Sequence, residues 1–178
     1  MERGAARATL TLDRRGLRSI STDEAYLRRA LALAGEAARA GDVPVGAVLV
    51  SGDLLLEARN EKESRNDPTA HAEMTLLRQA AQHLSAWRLS EATVYVTKEP
   101  CVMCAGALIA ARIKRLVYGA RDPKGGADGS AFDILRARAA NHRMEITDGV
   151  LEAEASEQLQ RFFRAKRTGP QEGIAPES

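Results

Sequence analysis

The sequence predicts an α/β domain, a central sheet covered by helices. Two observations carry this. Short runs rich in β-branched residues alternate with longer stretches of helical periodicity through most of the 178 residues. Apolar residues make up 44% of the chain and aromatic residues only 4%, so a sizeable core would be built from Ala, Leu, Val and Ile. No internal repeat and no linker divides the chain. Residues 21–167 read as one domain, with a flexible extension over 1–20 and a disordered tail over 168–178.

The elements follow in order. A helix opens at Ser21, which has capping-box spacing to Glu24, and closes before Gly41; Leu27, Leu31, Ala34 and Ala38 form its apolar stripe. Val43 to Val50 is a strand, Ser51-Gly52-Asp53 a turn, and residues 54–59 a second strand, together a hairpin. Residues 60–69 are a polar loop ending in Asp67-Pro68. A helix over 70–84 presents Met74, Leu77, Ala81 and Leu84. A third strand, 92–97, runs into Glu99-Pro100 and a helix that starts at Cys101. The fourth strand is 115–120, followed by the Gly-rich loop 121–130, a short helix over 131–140, a fifth strand over 142–147 and a closing helix over 151–167.

Several classes are disfavoured. No apolar run reaches the length of a membrane span, and the Arg-rich first residues lack the apolar segment of a secretory signal. Two cysteines do not form a disulfide framework, which points to a reducing, cytoplasmic setting. A net charge of +2 selects no partner, so any nucleic-acid contact must come from local clustering.

The chemistry centres on "HAE" at 71–73 and "EPCVMC" at 99–104. Each sits at a helix start after a strand or loop, the position where α/β proteins place their sites. The partial positive charge at a helix N-terminus favours the thiolate, and positions three apart share a helix face. Cys101 and Cys104 can therefore present both sulfurs to one ion, and His71 is the third ligand. His83 is more than three helical turns beyond His71; His142 is a possible ligand that lies near a strand start. Three protein ligands leave a position for water, the pattern of catalytic zinc, with one zinc per subunit. Glu73 must reach the same place from the irregular first turn, where a carboxylate can do general acid–base work. For C-x-x-C alone, a redox pair or two metal-free structural cysteines are the competing readings.

The combination H-x-E…P-C-x-x-C resembles the zinc-dependent nucleoside and nucleobase deaminases. "DPTAHAE", "EPCVMCAGA", "GARDPKGGADGS", "NHRMEI" and "FFRAKR" narrow the resemblance to the bacterial tRNA-specific adenosine deaminases, over about Ala25 to Arg167. The resemblance implies a three-layer cytidine-deaminase-like fold with a central five-stranded mixed sheet, and a homodimer. It implies hydrolytic conversion of the wobble adenosine of a tRNA anticodon, chiefly arginine tRNA, to inosine. Position by position, it implies zinc at His71, Cys101 and Cys104 and a proton shuttle at Glu73. Asn60, Val45 and Asp122 would contact the substrate, together with backbone at Ala72 and Pro100. Free guanine, cytosine or a related base is the alternative substrate. A non-catalytic RNA-binding protein with a structural zinc is the other. The chain departs from the family's pattern at Lys98, where an apolar residue is usual, and at Ala155, where a cysteine is.

Basic residues support a tRNA anticodon stem-loop as partner. Arg112, Lys114, Arg115, Arg121 and Lys124 cluster after the cysteines, and Arg161, Arg164, Lys166 and Arg167 near the end, interleaved with Phe162 and Phe163. Adjacent phenylalanines cannot both face one way, so at least one belongs to the core. Arg121, Lys124, Asn141, Arg143, Phe163, Arg164 and Arg167 are the candidate RNA contacts.

Overall fold

The computed structural model describes residues 22–168. The expectations for residues 1–20, for Ser21 as a cap and for the tail beyond 168 lie outside the described residues. Nine elements follow one another: α1 (Thr22–Arg39), β1 (Gly46–Ser51), β2 (Leu54–Arg59), α2 (Ala72–Leu84), β3 (Thr93–Lys98), α3 (Val102–Ala110), β4 (Arg115–Ala120), β5 (Glu145–Thr147) and α4 (Glu152–Thr168). The strands form one sheet in the order β2-β1-β3-β4-β5. β1 pairs antiparallel with β2 and β3, whereas β3, β4 and β5 are parallel. This is the expected five-stranded mixed sheet between two helical layers.

Strand alternation divides the core in two. Ala47, Leu49, Val94, Val96, Leu116 and Tyr118 face α2 and α3, where Leu76, Ala80, Ala105 and Leu108 meet them. Val48, Tyr95 and Val117 face the other way, onto Leu27 and Ala30 of α1. Helix α4 packs beside α1, with Ala155 buried against the sheet. Shortening a fully buried side chain such as Leu108 to alanine would cost about 2–5 kcal/mol, because the close-packed layers cannot collapse onto the gap.

Four local expectations are revised. In α1 the buried positions are Leu27, Ala30, Ala34 and Ala37, so the stripe is turned away from Leu31 and Ala38. In α2 the buried face is Ala72, Glu73, Thr75, Leu76, Leu77 and Ala80, and Leu84 is 40% exposed. Residues 131–140 form turns rather than a helix. There the N–H groups of Ile134 and Leu135 both donate to the Ala127 carbonyl at 3.0 Å, and Arg136 grips the Asp128 carboxylate at 2.7 and 2.9 Å. These long-range bonds win over the local helical propensity. The fifth strand shrinks to Glu145–Thr147 because His142 Nε2 donates to the Ile113 carbonyl at 2.7 Å and turns the preceding residues out of the ladder.

Candidate active site

Two helix starts converge at the end of the sheet where β2 and β3 finish and β1, antiparallel to both, begins. The backbone of His71 is extended (φ −71°, ψ 153°) at the cap of α2, and that of Cys101 is extended (φ −74°, ψ 174°) at the cap of α3. Neither side chain caps its own helix, which leaves both aimed at the gap between them. Cys101 Sγ and Cys104 Sγ each lie 3.6 Å from His71 Nδ1, and the three atoms lie within 4.8 Å of one another.

The donor set fits zinc. Bonds of about 2.3 Å to sulfur and about 2.0 Å to nitrogen at tetrahedral angles set S···N edges of roughly 3.5 Å, close to the separation found. Hydrogen bonding from Cys104 and His71 holds the Cys101 thiol down at about 3, against the cost of its burial. The Cys104 thiol is pushed well up, first by donating to Cys101 and then by burial. The half-buried Cys101 sulfur and the buried Cys104 sulfur thus lie close enough to share a hydrogen bond. The hydrogen bond to Cys101 raises the pKa of His71.

Glu73 is 4% exposed yet lines the same cavity. Its place follows from helix geometry. Residues 73, 76, 77 and 80 recur at helical spacing, so the register that buries Leu76, Leu77 and Ala80 also turns Glu73 inward. Burial raises its pKa, and a carboxyl at this place can do general acid–base work.

The cavity has a volume of about 170 Å³. Val43, Val45 and Asn60 line it together with His71, Glu73 and Cys101. Asn60 is 4% exposed; its Nδ2 donates to the buried Asp42 at 3.4 Å, which leaves Oδ1 as its acceptor for another group. Ala72 and Pro100 are buried and do not line the cavity. The Pro100 carbonyl instead accepts the Ala127 N–H at 2.9 Å and ties the Gly-rich loop to the site. Val43 and Lys62 line the cavity without having been singled out from sequence; both lie in segments read only as a strand start and a polar loop.

Glu99 shapes the loop 121–130. It is 2% exposed, and its carboxylate accepts N–H groups of Asp122 at 3.0 Å, Asp128 at 2.8 Å and Ser130 at 3.4 Å, plus the Ser130 hydroxyl. Burial opposes its ionisation, but these donors outweigh that and hold its pKa below the usual range. The backbone N–H donors thereby place Arg121, Asp122 and Lys124 beside a second cleft, of about 850 Å³. Arg121, Lys124, Phe163, Arg164 and Arg167 line that cleft. Phe162 is half-buried and Phe163 is 43% exposed, their rings edge-to-face at 5.5 Å. Asp122 also lines the cleft, with Oδ2 2.6 Å from Lys98 Nζ and Oδ1 accepting the Lys124 N–H at 3.1 Å.

The first basic cluster divides between the two ends of β4. Arg121 and Lys124 follow its C-terminal end, on the site side. Arg112, Lys114 and Arg115 precede or begin it, where Arg115 holds Asp23 and Arg112 holds Asn141. Asn141 and Arg143 lead into β5, which runs parallel to β4, so they lie at that far end and line neither cavity. His142 is also there, and His83 is exposed in the last turn of α2; neither approaches the His71 cluster.

Comparison with known proteins agrees with this architecture. Residues 21–167 match the family model of MafB19-like deaminases. The chain is 44% identical over 149 residues to the tRNA-specific adenosine deaminase of Bacillus subtilis, covering 83% of this chain and 92% of that one. It is 48% identical over 147 residues to the Haemophilus influenzae protein of the same name, covering 82% and 85%. A solved chain from structural studies of A-to-I editing by tRNA:A34 deaminases at the wobble position superposes with a TM-score of 0.73 at 41% identity, covering 76% of this chain and 99% of that one. A guanine deaminase from Nitrosomonas europaea superposes at 0.66 with 26% identity, covering 82% and 86%. With relatives this similar over most of both chains, the protein belongs to the tRNA-specific adenosine deaminase family.

Proposed function

We propose that the protein hydrolyses adenosine to inosine at the wobble position of a tRNA anticodon, chiefly in arginine tRNA. The observation that carries this is the pairing of two spaces. A small cavity lined by His71, Glu73 and Cys101 adjoins a larger cleft lined by Arg121, Lys124, Arg164 and Arg167. A single extruded base suits the first, and the phosphates of its neighbours suit the second.

His71, Cys101 and Cys104 would hold one zinc, which when bound supplies the Lewis acidity that makes water a nucleophile at neutral pH. Val45 packs the face of the base, and Asn60 offers it a hydrogen-bond acceptor from Oδ1. Glu73 takes a proton from the attacking water and delivers it to the departing exocyclic nitrogen. Oxygen from water replaces that nitrogen at the ring carbon, the second proton of the water ends on the adjacent ring nitrogen, and ammonia leaves. The buried position of Glu73 keeps bulk water from exchanging the proton between the two transfers.

The family resemblance adds a homodimer and a cytoplasmic setting to the proposal. Val102, 41% exposed on α3, is an apolar residue open to a second copy. Among the described residues, no helix is long and apolar enough to cross a membrane. Side-by-side assay of ammonia release from arginine tRNA, free guanine and free cytosine tests the substrate. Turnover of tRNA supports the proposal; turnover of a free base alone replaces it with the small-base reading.

A further inference from the structure

Lys98 ends β3 at the junction of the two spaces. Among the described residues, Lys98 and Phe163 alone line both the small cavity and the larger cleft. A nucleotide with its base in the first and its neighbours in the second must carry its own sugar and phosphate past these two side chains. Phe163 offers a ring face, and Lys98 offers a charge. The Lys98 ammonium is 2.6 Å from Asp122 Oδ2, and the two side chains are only 28% and 14% exposed. Asp122 is itself fixed by the Lys124 N–H. The ammonium is therefore held in one place rather than swinging on its four-carbon stem. An ammonium has three donors, and the Asp122 bond uses one. The pair also cancels the carboxylate that would otherwise face an incoming phosphate.

We propose that Lys98, braced by Asp122, is a positioning residue that binds the phosphodiester of the nucleotide whose base enters the small cavity. This rests on the reading of the two spaces as an RNA site. Arg121, Lys124, Arg164 and Arg167 hold the flanking strand, whereas Lys98 sets how deep the target nucleotide sits.

The test is binding of an anticodon stem-loop RNA to the full-length zinc-loaded protein by fluorescence anisotropy, over roughly 50 to 200 mM salt. Wild type is compared with Lys98→Met, Lys98→Arg and Lys114→Met, the last at the far end of β4 and paired with Glu91. Lys98→Met should weaken binding about tenfold, the loss of one charge-assisted hydrogen bond. It should also flatten the logarithmic salt dependence by about 0.7, the release from one single-strand phosphate. Lys98→Arg should keep most of the affinity and the full salt slope, and Lys114→Met should match wild type. In deamination assays the Lys98→Met loss should fall on KM more than on kcat. Wild-type affinity and slope in Lys98→Met would overturn the proposal, as would equal losses in Lys98→Met and Lys98→Arg. Wild-type protein that binds the RNA but forms no inosine would overturn the catalytic reading alone.

Discussion

Gly126 packs directly against the carboxyl of Glu99: a Cβ at Gly126 would stand 2.3 Å from Glu99 Cδ and 2.5 and 2.6 Å from its two oxygens. Glu99 cannot retreat, because three backbone N–H groups and a hydroxyl hold it. The closeness of these two residues lets one buried carboxylate gather the loop that carries Arg121, Asp122 and Lys124. Gly126→Ala should therefore destabilise the fold by about 1–3 kcal/mol, as overpacking does. Thermal melting reads the stability. RNA affinity should fall as the loop shifts, while zinc content stays at the wild-type value.

Glu73→Gln separates chemistry from folding. The neutral amide keeps the shape and removes a buried carboxyl whose ionisation is costly. The melting temperature should hold or rise, and zinc content should be unchanged. Deamination should fall by about 10²–10⁴-fold or more, because the proton carrier is gone. Activity near wild type would remove Glu73 from the reaction.

Metal removal should act on both activity and stability. Elemental analysis should find about one zinc per chain, as expected for a three-ligand site. Chelation should abolish deamination, lower the melting temperature and make Cys101 reactive toward thiol reagents, since its thiolate is favoured without the ion. Zinc should restore all three properties.

The Asp23–Arg115 pair ties α1 to β4, with hydrogen bonds of 2.8 and 2.7 Å. The Arg115 hydrogen bond, working against burial, holds Asp23 below the usual carboxylate range. A carboxylate depressed in the folded state adds stability that is complete above its unfolded pKa and fades as pH falls through its folded value. Asp23→Asn should thus lower stability by about 1 kcal/mol at neutral pH. The difference from wild type should shrink below about pH 4. A gap that widened toward acid would contradict the assignment.

The cluster of His71, Cys101 and Cys104 was legible because its signals are local: H-x-E and P-C-x-x-C each sit at one helix start, and three histidines leave few choices. The alternation of strands and helices was legible for the same reason. The face of α2 was not, because the stripe through Met74, Ala81 and Leu84 looks as good as the real one. The charged Glu73 standing in phase with Leu76, Leu77 and Ala80 was the available sign of an inward-facing acid. Residues 131–140 misled because the Ala127 carbonyl and Asp128, contacts outside that segment, decide their shape. The basic cluster at 112–124 was contiguous in sequence but spans a six-residue strand, roughly 20 Å of extended chain, so its members part company. Lys98 stood out as a departure, yet nothing in the sequence placed it between two cavities.

The most direct measurement is mass-spectrometric nucleoside mapping of unmodified arginine tRNA after incubation with the zinc-loaded protein. The expected result is inosine at the wobble position, adenosine elsewhere intact, and conversion reduced at least about a hundredfold with Glu73→Gln. An unchanged wobble adenosine, with hydrolysis of a free base by the same preparation, would contradict it.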